Sequence, residues 1–519
     1  MAYFLQQIDK FDFEENMIES LEKALATVKG ILKEVRAYNQ ASAILNFDQQ
    51  TICPKDGMAE EGEVAAFLSN NAFKLQKQPE YIEACEYIYD HRDELTDEFD
   101  RCLAESLHRD YVREKNITPE MQHRHSLIYN NAFVCWLDAK KNKNFNLFAK
   151  ALGEVRDAQI EQIEMNEEKK ATAYDTVFDG YERGLTSADL DCAFNKCKER
   201  LVPLLKRILQ SKKKIRTDFL SRPVTDEAQK KMAEYLMGLM GFDFNRGTFT
   251  TSEHPFTTEL GKNDTRITTH YYPNAFYSSM FSIIHEAGHA LFEQNQPAEN
   301  HSHFIEYNKT MGMHESTSRF YENRIGRSKE FIHLIFPKCR ELFPNVFEDV
   351  SEQEFYEAMN TVTPSLIRTE ADEFTYTFHV IIRYEIERMI INEGANIVDL
   401  PKIWNDKYEE YLGIRPENDA VGILQDVHWT SGFGYFPTYA LGNMYNAMYY
   451  NKMAQEFDLK EAVKSGNFTQ INNWMKEHVW LKADREAPSD WIRNITGRDF
   501  TPDDFLDYLE KKYTEIYEV

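Results

Sequence analysis

The sequence predicts a mainly α-helical protein that carries one small antiparallel β-sheet. Three observations lead there. Apolar residues recur at steps of three and four from Met17 to Tyr38. Capping residues mark helix starts at Thr118-Pro119-Glu120, Thr186-Ser187-Ala188-Asp189 and Thr501-Pro502-Asp503-Asp504. Only between Phe242 and Tyr272 does the texture change, to alternating Thr and aromatic residues.

Taken in order, Ile18, Leu21, Leu25, Val28, Leu32 and Val35 form one apolar stripe with a polar back, the mark of an amphipathic helix. A second stretch, Ala41 to Gln50, closes on Asn46-Phe47-Asp48-Gln49-Gln50-Thr51 before a turn at Cys53-Pro54-Lys55-Asp56-Gly57. Helical patterns then run from Glu60 through Met165, with Pro119 at a first helical position where its missing N–H costs nothing. The start at Thr186 feeds a long helix to about Arg216. Gly247-Thr248-Phe249-Thr250-Thr251 and Thr265 to Tyr271 read as two antiparallel strands, with Gly261-Lys262-Asn263-Asp264 as the turn between them. After Pro273 the chain returns to helix, and the last one ends near Tyr517. Linkers, repeats and charge blocks are missing. One large helical body is expected, with the sheet beside the helix Ser278 to Gln294.

Composition narrows the function. Aromatic residues make up 13% of 519 residues, which marks a packed globular chain. A net charge of −26 argues against nucleic acid, whose phosphates it would repel. The seven cysteines are scattered and show no C-x-x-C pair, which fits a reducing compartment. The first ten residues lack the basic start and apolar run of a signal peptide, and no segment has the length of a membrane span. The cytoplasm is the expected location, with no membrane partner.

The chemistry centres on His285-Glu286-Ala287-Gly288-His289. Residues four apart share a helix face, so His285 and His289 can offer two imidazole nitrogens to one metal ion. Glu286 stands one position round, placed to take a proton from water. The competing reading is a satisfied pair of core histidines. A catalytic zinc needs a third protein ligand and an open position. Glu293, Glu299, His301, His303, Glu306, His314, Glu315 and Glu322 are the candidates. Met313-His314-Glu315-Ser316-Thr317-Ser318-Arg319-Phe320 is the most suggestive stretch, because it opens a second helical pattern; a solvated glutamate on a helix face is the alternative.

Six segments together resemble the carboxypeptidase Taq family of metallocarboxypeptidases over nearly the whole chain. They are His254-Pro255-Phe256, Asp264-Thr265-Arg266-Ile267-Thr268, His285-Glu286-Ala287-Gly288-His289, His314-Glu315-Ser316, Ile367-Arg368-Thr369-Glu370-Ala371-Asp372 and Gly422-Ile423-Leu424-Gln425-Asp426-Val427-His428-Trp429. Thr317 stands where the family pattern has Gln, and Asn46-Phe47 where a Trp is commoner. The resemblance implies an elongated helical zincin related to neurolysin and angiotensin-converting enzyme. Residues 1–519 would form a single peptidase unit whose two lobes flank a deep groove, assembled as a homodimer.

By motif match the resemblance implies His285, His289 and Glu315 as ligands of zinc, or of cobalt, and Glu286 as the general base that activates water. Oxyanion donors are sought late in the chain, as in the related peptidases. His428 and Tyr435 come first and Tyr439 next, against a structural role as cap and buried aromatics. A carboxypeptidase must also bind a free α-carboxylate, for which the planar fork of Arg suits best. Arg368 is the first candidate and Arg266 the second; an intrahelical pair between Arg368 and Asp372 is the structural alternative. His254 and Asp264 read as architectural. The expected activity is release of single C-terminal residues from peptides with broad specificity. An oligopeptidase cutting internally and a non-catalytic peptide-binding scaffold are the rival readings.

Overall fold

The computed structural model describes residues 20–305, 309–482 and 485–519. Met17 and Ile18, at the head of the first pattern, the N-terminal decapeptide, and Glu306 lie outside the described residues. In chain order the elements begin with α1 (Leu21–Thr51), α2 (Met58–Gln76), α3 (Pro79–Asp90), α4 (Glu98–Glu114), α5 (Pro119–Asn142), α6 (Asn146–Met165), α7 (Ala173–Phe178), α8 (Ser187–Gln210) and α9 (Asp226–Met240). Strands β1 (Gly247–Thr251), β2 (Thr257–Gly261) and β3 (Asp264–Thr269) follow, then α10 (Phe276–Gln294), α11 (Ala298–Ser302), α12 (Met311–Arg319), α13 (Lys329–Leu342), α14 (Pro344–Phe347) and α15 (Glu352–Met359). The C-terminal part holds α16 (Tyr376–Asn392), α17 (Leu400–Leu412), α18 (Pro437–Glu456), α19 (Leu459–Lys464), α20 (Phe468–Met475), α21 (Pro488–Thr496) and α22 (Asp503–Tyr517). Among the described residues no helix is long and apolar enough to cross a membrane.

These residues divide into two compact units, one taking in the chain up to Tyr111 with Ala298–Ile305, the other Val112–Pro297 with Glu306–Val519. In the first, Ser20 caps α1 by accepting from the Lys23 N–H, and Ala24, Val28, Leu32 and Val35 form its buried stripe. α1 runs on unbroken to Thr51, because nothing between Tyr38 and Ala41 interrupts a helix; it stops where Cys53 and Pro54 turn the chain.

The second unit contains the site. Its caps follow the sequence: Thr118 accepts from Met121, Thr186 and Asp189 form a reciprocal capping box, and Thr501 accepts from the Asp503 N–H. α8 stops at Gln210, six residues short of the expected Arg216. The expectation of an antiparallel sheet is corrected: the sheet is mixed, in the order β1-β3-β2. β1 and β3 run parallel, with Thr248 beside Arg266, and β2 is the antiparallel neighbour of β3. The chain reverses twice, at Pro255 and at Gly261, so β3 regains the direction of β1. β2 was hidden from the sequence because Thr257-Thr258-Glu259-Leu260-Gly261 shows little apolar alternation. β2 and β3 lie against α10, which also packs on α9 and α12. α10 is apolar on nearly every side, as a helix inside a large core must be; Met280, Ile283, Ile284, Ala287, Ala290, Leu291 and Phe292 are all buried.

Candidate metal centre and active site

α10 sets His285 and His289 one turn apart, with ring centroids 4.9 Å apart and planes at 81°. Glu315 on α12 faces both: its Oε2 lies 3.7 Å from His285 Nε2 and 3.3 Å from His289 Nε2. Two glycines permit this approach. A Cβ on Gly288 would stand 2.7 Å from the Cα of Ser318, and one on Gly442 of α18 would stand 2.8 Å from Cγ of Glu315. α12 is thus clamped between α10 and α18 at the level of its glutamate. Its first turn is held by buried Glu182, which accepts from the Gly312 N–H at 3.0 Å and from Tyr445 Oη at 2.7 Å.

Each donor is oriented from behind. Glu322 accepts from His285 Nδ1 at 2.9 Å; it stands seven residues after Glu315, two turns on, where the helix continues as a wider π turn over Phe320–Ile325. Burial opposes its ionisation, yet Arg319 and His285 bring its pKa down to about 2. An ionised carboxylate only accepts, so Nδ1 of His285 carries a proton, and in the neutral ring Nε2 is the bare nitrogen. Arg319 spans the two carboxylates, giving Nε to Glu315 Oε1 at 2.7 Å and Nη1 to Glu322 Oε2 at 3.0 Å. Against its burial, Arg319 and the two histidines keep Glu315 well below the usual carboxylate range. Burial lowers the pKa of His289 to about 3, its contact with Glu315 opposing and His314 assisting, so its imidazole is neutral. A neutral imidazole and a carboxylate converging on one point fit a divalent cation, and His285, His289 and Glu315 offer donor atoms within 4.8 Å of one another.

Glu286 is buried on the same turn. Thr257 of β2 donates to its Oε2 at 2.7 Å, and also to its backbone oxygen at 2.9 Å. Burial raises the pKa of this carboxyl, with His285 and the Thr257 hydroxyl opposing. A cavity of about 260 Å³ is lined by Tyr181, Glu387, His428, Ser431, Gly432, Tyr435 and Tyr439. Burial takes His428 down to about 4 against the pull of Asp426; its Nε2 meets Tyr439 Oη at 3.4 Å, and its Nδ1 has no hydrogen-bond partner. Burial and the neighbouring Glu315 raise Tyr435, which therefore carries its proton at neutral pH. Glu387 pins the loop that bears these groups, accepting from Trp429 Nε1, Tyr174 Oη and the Gly434 N–H.

Arg368 is buried and lies 4.8 Å from the Tyr439 ring centroid. Its partner is Asp426, not Asp372: Nε and Nη2 both reach Asp426 Oδ1 at 3.0 Å, and Nη1 donates to Tyr376 Oη at 3.0 Å. Asp372 instead accepts from the Thr363 and Thr375 N–H groups. Of the five guanidinium N–H donors, one on each of Nη1 and Nη2 is left over. Asp426 also binds Arg383 through Oδ2, at 2.7 Å from its Nε. Two guanidiniums against one carboxylate leave a surplus positive charge. Arg266, by contrast, spends its fork on Asp264, at 3.0 and 2.9 Å.

Of the other candidate ligands, His314 and Glu293 lie behind His289, and Glu322 behind His285. His301 and His303 belong to the first unit, where Arg36 donates to the His301 carbonyl and Asp97 and Asp100 face His303. The spacing of Glu322 from Glu315 was readable as one helix face. Thr257, Glu182, Glu387 and Arg383 gave no signal, since each acts across a long sequence separation.

Residues 27–513 match the family described as Carboxypeptidase Taq (M32) metallopeptidase. Carboxypeptidase 1 of Bacillus subtilis is 37% identical over 496 residues, covering 94% of this chain and 97% of that protein. Thermostable carboxypeptidase 1 of Thermus thermophilus is 33% identical over 509 residues, covering 96% of this chain and 99% of its own length. Among solved structures, an M32 carboxypeptidase from Deinococcus radiodurans R1 has a TM-score of 0.91 at 30% identity, over 96% of this chain and 100% of that one. A Pyrococcus furiosus carboxypeptidase gives 0.89 at 32% identity, over 95% and 99%. The chain belongs to the carboxypeptidase Taq (M32) family of metallopeptidases and is a metal-dependent peptide hydrolase of the carboxypeptidase class.

Proposed function

We propose that this protein is a zinc carboxypeptidase that removes single residues from peptide C-termini with broad specificity. The observation that carries the reading is the meeting of His285 Nε2, His289 Nε2 and Glu315 Oε2 beside the buried carboxyl of Glu286. Those three residues would hold zinc, and cobalt(II) tolerates the same donor set. Such an ion would supply an acidified water and polarise the scissile carbonyl. Glu286 would take a proton from the attacking water and return it to the leaving amine; burial, which raises its pKa, makes it a better base. His428 and Tyr435 stabilise the developing oxyanion, each with its ordinary neutral form favoured by burial. Arg368 receives the substrate α-carboxylate on its two remaining N–H groups, with Tyr439 beneath its plane. Arg266 is the weaker candidate, since Asp264 occupies its fork.

The chain works as one peptidase unit, a view supported by the family match, which runs across both compact units. Its place in the cytoplasm is supported by scattered, free cysteines. Assembly as a homodimer is supported by the family resemblance. The test uses one N-blocked peptide as free acid and as amide, with products read by mass. Stepwise loss of C-terminal residues from the free acid is the expected result. An internal cut would indicate an oligopeptidase, and no cleavage by metal-loaded protein a peptide-binding scaffold.

A further inference from the structure

α10 repeats its polar face one turn beyond His289, at Glu293, and this extra carboxylate closes a chain of ring nitrogens. His289 Nδ1 lies 2.6 Å from Nδ1 of His314, and His314 Nε2 lies 3.5 Å from Oε1 of Glu293. The His314 and Glu293 side chains are only 12% and 9% exposed. The two imidazoles are nearly parallel, with centroids 4.6 Å apart at 23°, and the Phe292 ring lies 4.7 Å from that of His314. His314 Nε2 has no hydrogen-bond partner, and the carboxylate oxygen that faces it is Glu293 Oε1.

The direction of the chain follows from its end. Glu293 Oε1 faces His314 Nε2, and a carboxylate oxygen pairs with an N–H, so this end calls for the His314 proton on Nε2. His314 Nδ1 is then an acceptor, and the proton in the 2.6 Å contact belongs to His289 Nδ1. His289 thereby turns a bare Nε2 towards Glu315. The opposite direction would place a proton between His289 and Glu315, 3.3 Å apart, and would leave the Glu293 carboxylate facing a lone pair.

We propose that His314 and Glu293 are positioning residues that fix the metal-binding tautomer of His289, through a relay in which a second imidazole stands between ligand and carboxylate. The inference rests on the reading of His285, His289 and Glu315 as ligands. The two histidines are then oriented differently: His285 meets its carboxylate directly at 2.9 Å, whereas His289 reaches one only through another ring.

The test measures affinity for zinc and for cobalt(II) by chelator competition on the full-length protein. His314→Leu should weaken binding roughly 10–100-fold. His314→Asn puts an amide oxygen near the Nδ1 position and should recover most of that loss. His314→Gln offers an amide only towards Glu293 and should stay weak. Wild-type affinity in His314→Leu, or equal recovery by Gln and Asn, would overturn the relay. Thermal unfolding of the metal-free variants checks their folding. If His314→Leu does not fold, nitrogen-15 spectra of labelled histidine in the metal-loaded wild type decide: a proton on His314 Nδ1 rather than Nε2 overturns the proposal. His289→Ala separates the two levels. Unchanged affinity there would remove the ligand reading itself, while a loss there with none in His314→Leu removes only the relay.

Discussion

Gly288→Ala tests whether the separation of α10 and α12 sets the metal centre. The new Cβ would stand 2.7 Å from Ser318 Cα, 3.1 Å from Thr317 O and 3.2 Å from Ser318 N. All three are backbone atoms, so no side chain can swing aside. Carbon atoms rest at about 3.5 Å or more, so α12 must retreat by about 0.8 Å at this level. Ser318 holds Glu315 through its hydroxyl, at 2.7 Å to the carbonyl and 3.0 Å to Oε2, so the shift carries the glutamate away from both histidines. Metal sites tolerate about 0.2 Å. We expect a metal affinity lower by about 10-fold or more, kcat/KM lower by on the order of 100-fold, and stability lower by about 1–3 kcal/mol from overpacking. Chelator competition, cleavage of a blocked peptide and thermal unfolding read the three effects. Gly153→Ala on α6 is the control: its Cβ would meet nothing within 4 Å, so it should be neutral or stabilising by about 0.5–1 kcal/mol. If Gly288→Ala bound metal and turned over like Gly153→Ala, the close approach would not be what places Glu315.

Three further outcomes are expected. Glu286→Gln should retain metal, measured by elemental analysis, while kcat falls by about 100-fold or more; near-normal turnover would refute its role as base. Arg368→Lys should narrow the rate ratio between free-acid and amidated forms of one peptide by on the order of 2 kcal/mol, because the ammonium keeps the charge and loses the fork; a uniform loss with an unchanged ratio would point to a structural Arg368–Asp426 pair. Glu182 has its pKa raised by burial to about 7, against the hydrogen bonds from Tyr445 and Gly312. The folded state then holds a proton that the unfolded state has lost, so its contribution is full below the unfolded pKa and declines as pH rises towards 7. Glu182→Gln should flatten that decline in metal-free thermal stability, by on the order of 3 kcal/mol across the window; an unchanged slope would place the proton elsewhere.

What the sequence made legible was local. Thr118, Thr186 and Thr501 each accept from an N–H two or three residues on, so their function is complete within one turn. The histidine pair is equally local, because helix geometry alone sets four residues on one face. The strand pairing was not legible, since β3 lies between β1 and β2 and the parallel partner of Thr265 is Gly247. Nor was the partner of Arg368. Asp372, four residues on, satisfied the helical rule, but Arg368 opens only a single 3-10 turn, so the i,i+4 geometry never forms. Asp426, 58 residues away, took its place.

That substitution of partners bears on how a protein of net charge −26 could hold a peptide carboxylate. A lone buried Arg368 would carry a desolvation penalty and rotate freely about its stem. Asp426 removes the rotational freedom by gripping the Nε–Nη2 edge, but alone it would also cancel the charge. Arg383, fully buried and 4.5 Å from the Trp404 ring centroid, restores it by sharing the same carboxylate. Asp426 is held strongly ionised, its burial overcome by Arg383 and Arg368, so neither cation is neutralised by a proton moving between them. The pair thus supplies orientation from one partner and charge from the other. An incoming carboxylate would complete a set of two cations and two anions in a region where unpaired charge is costly.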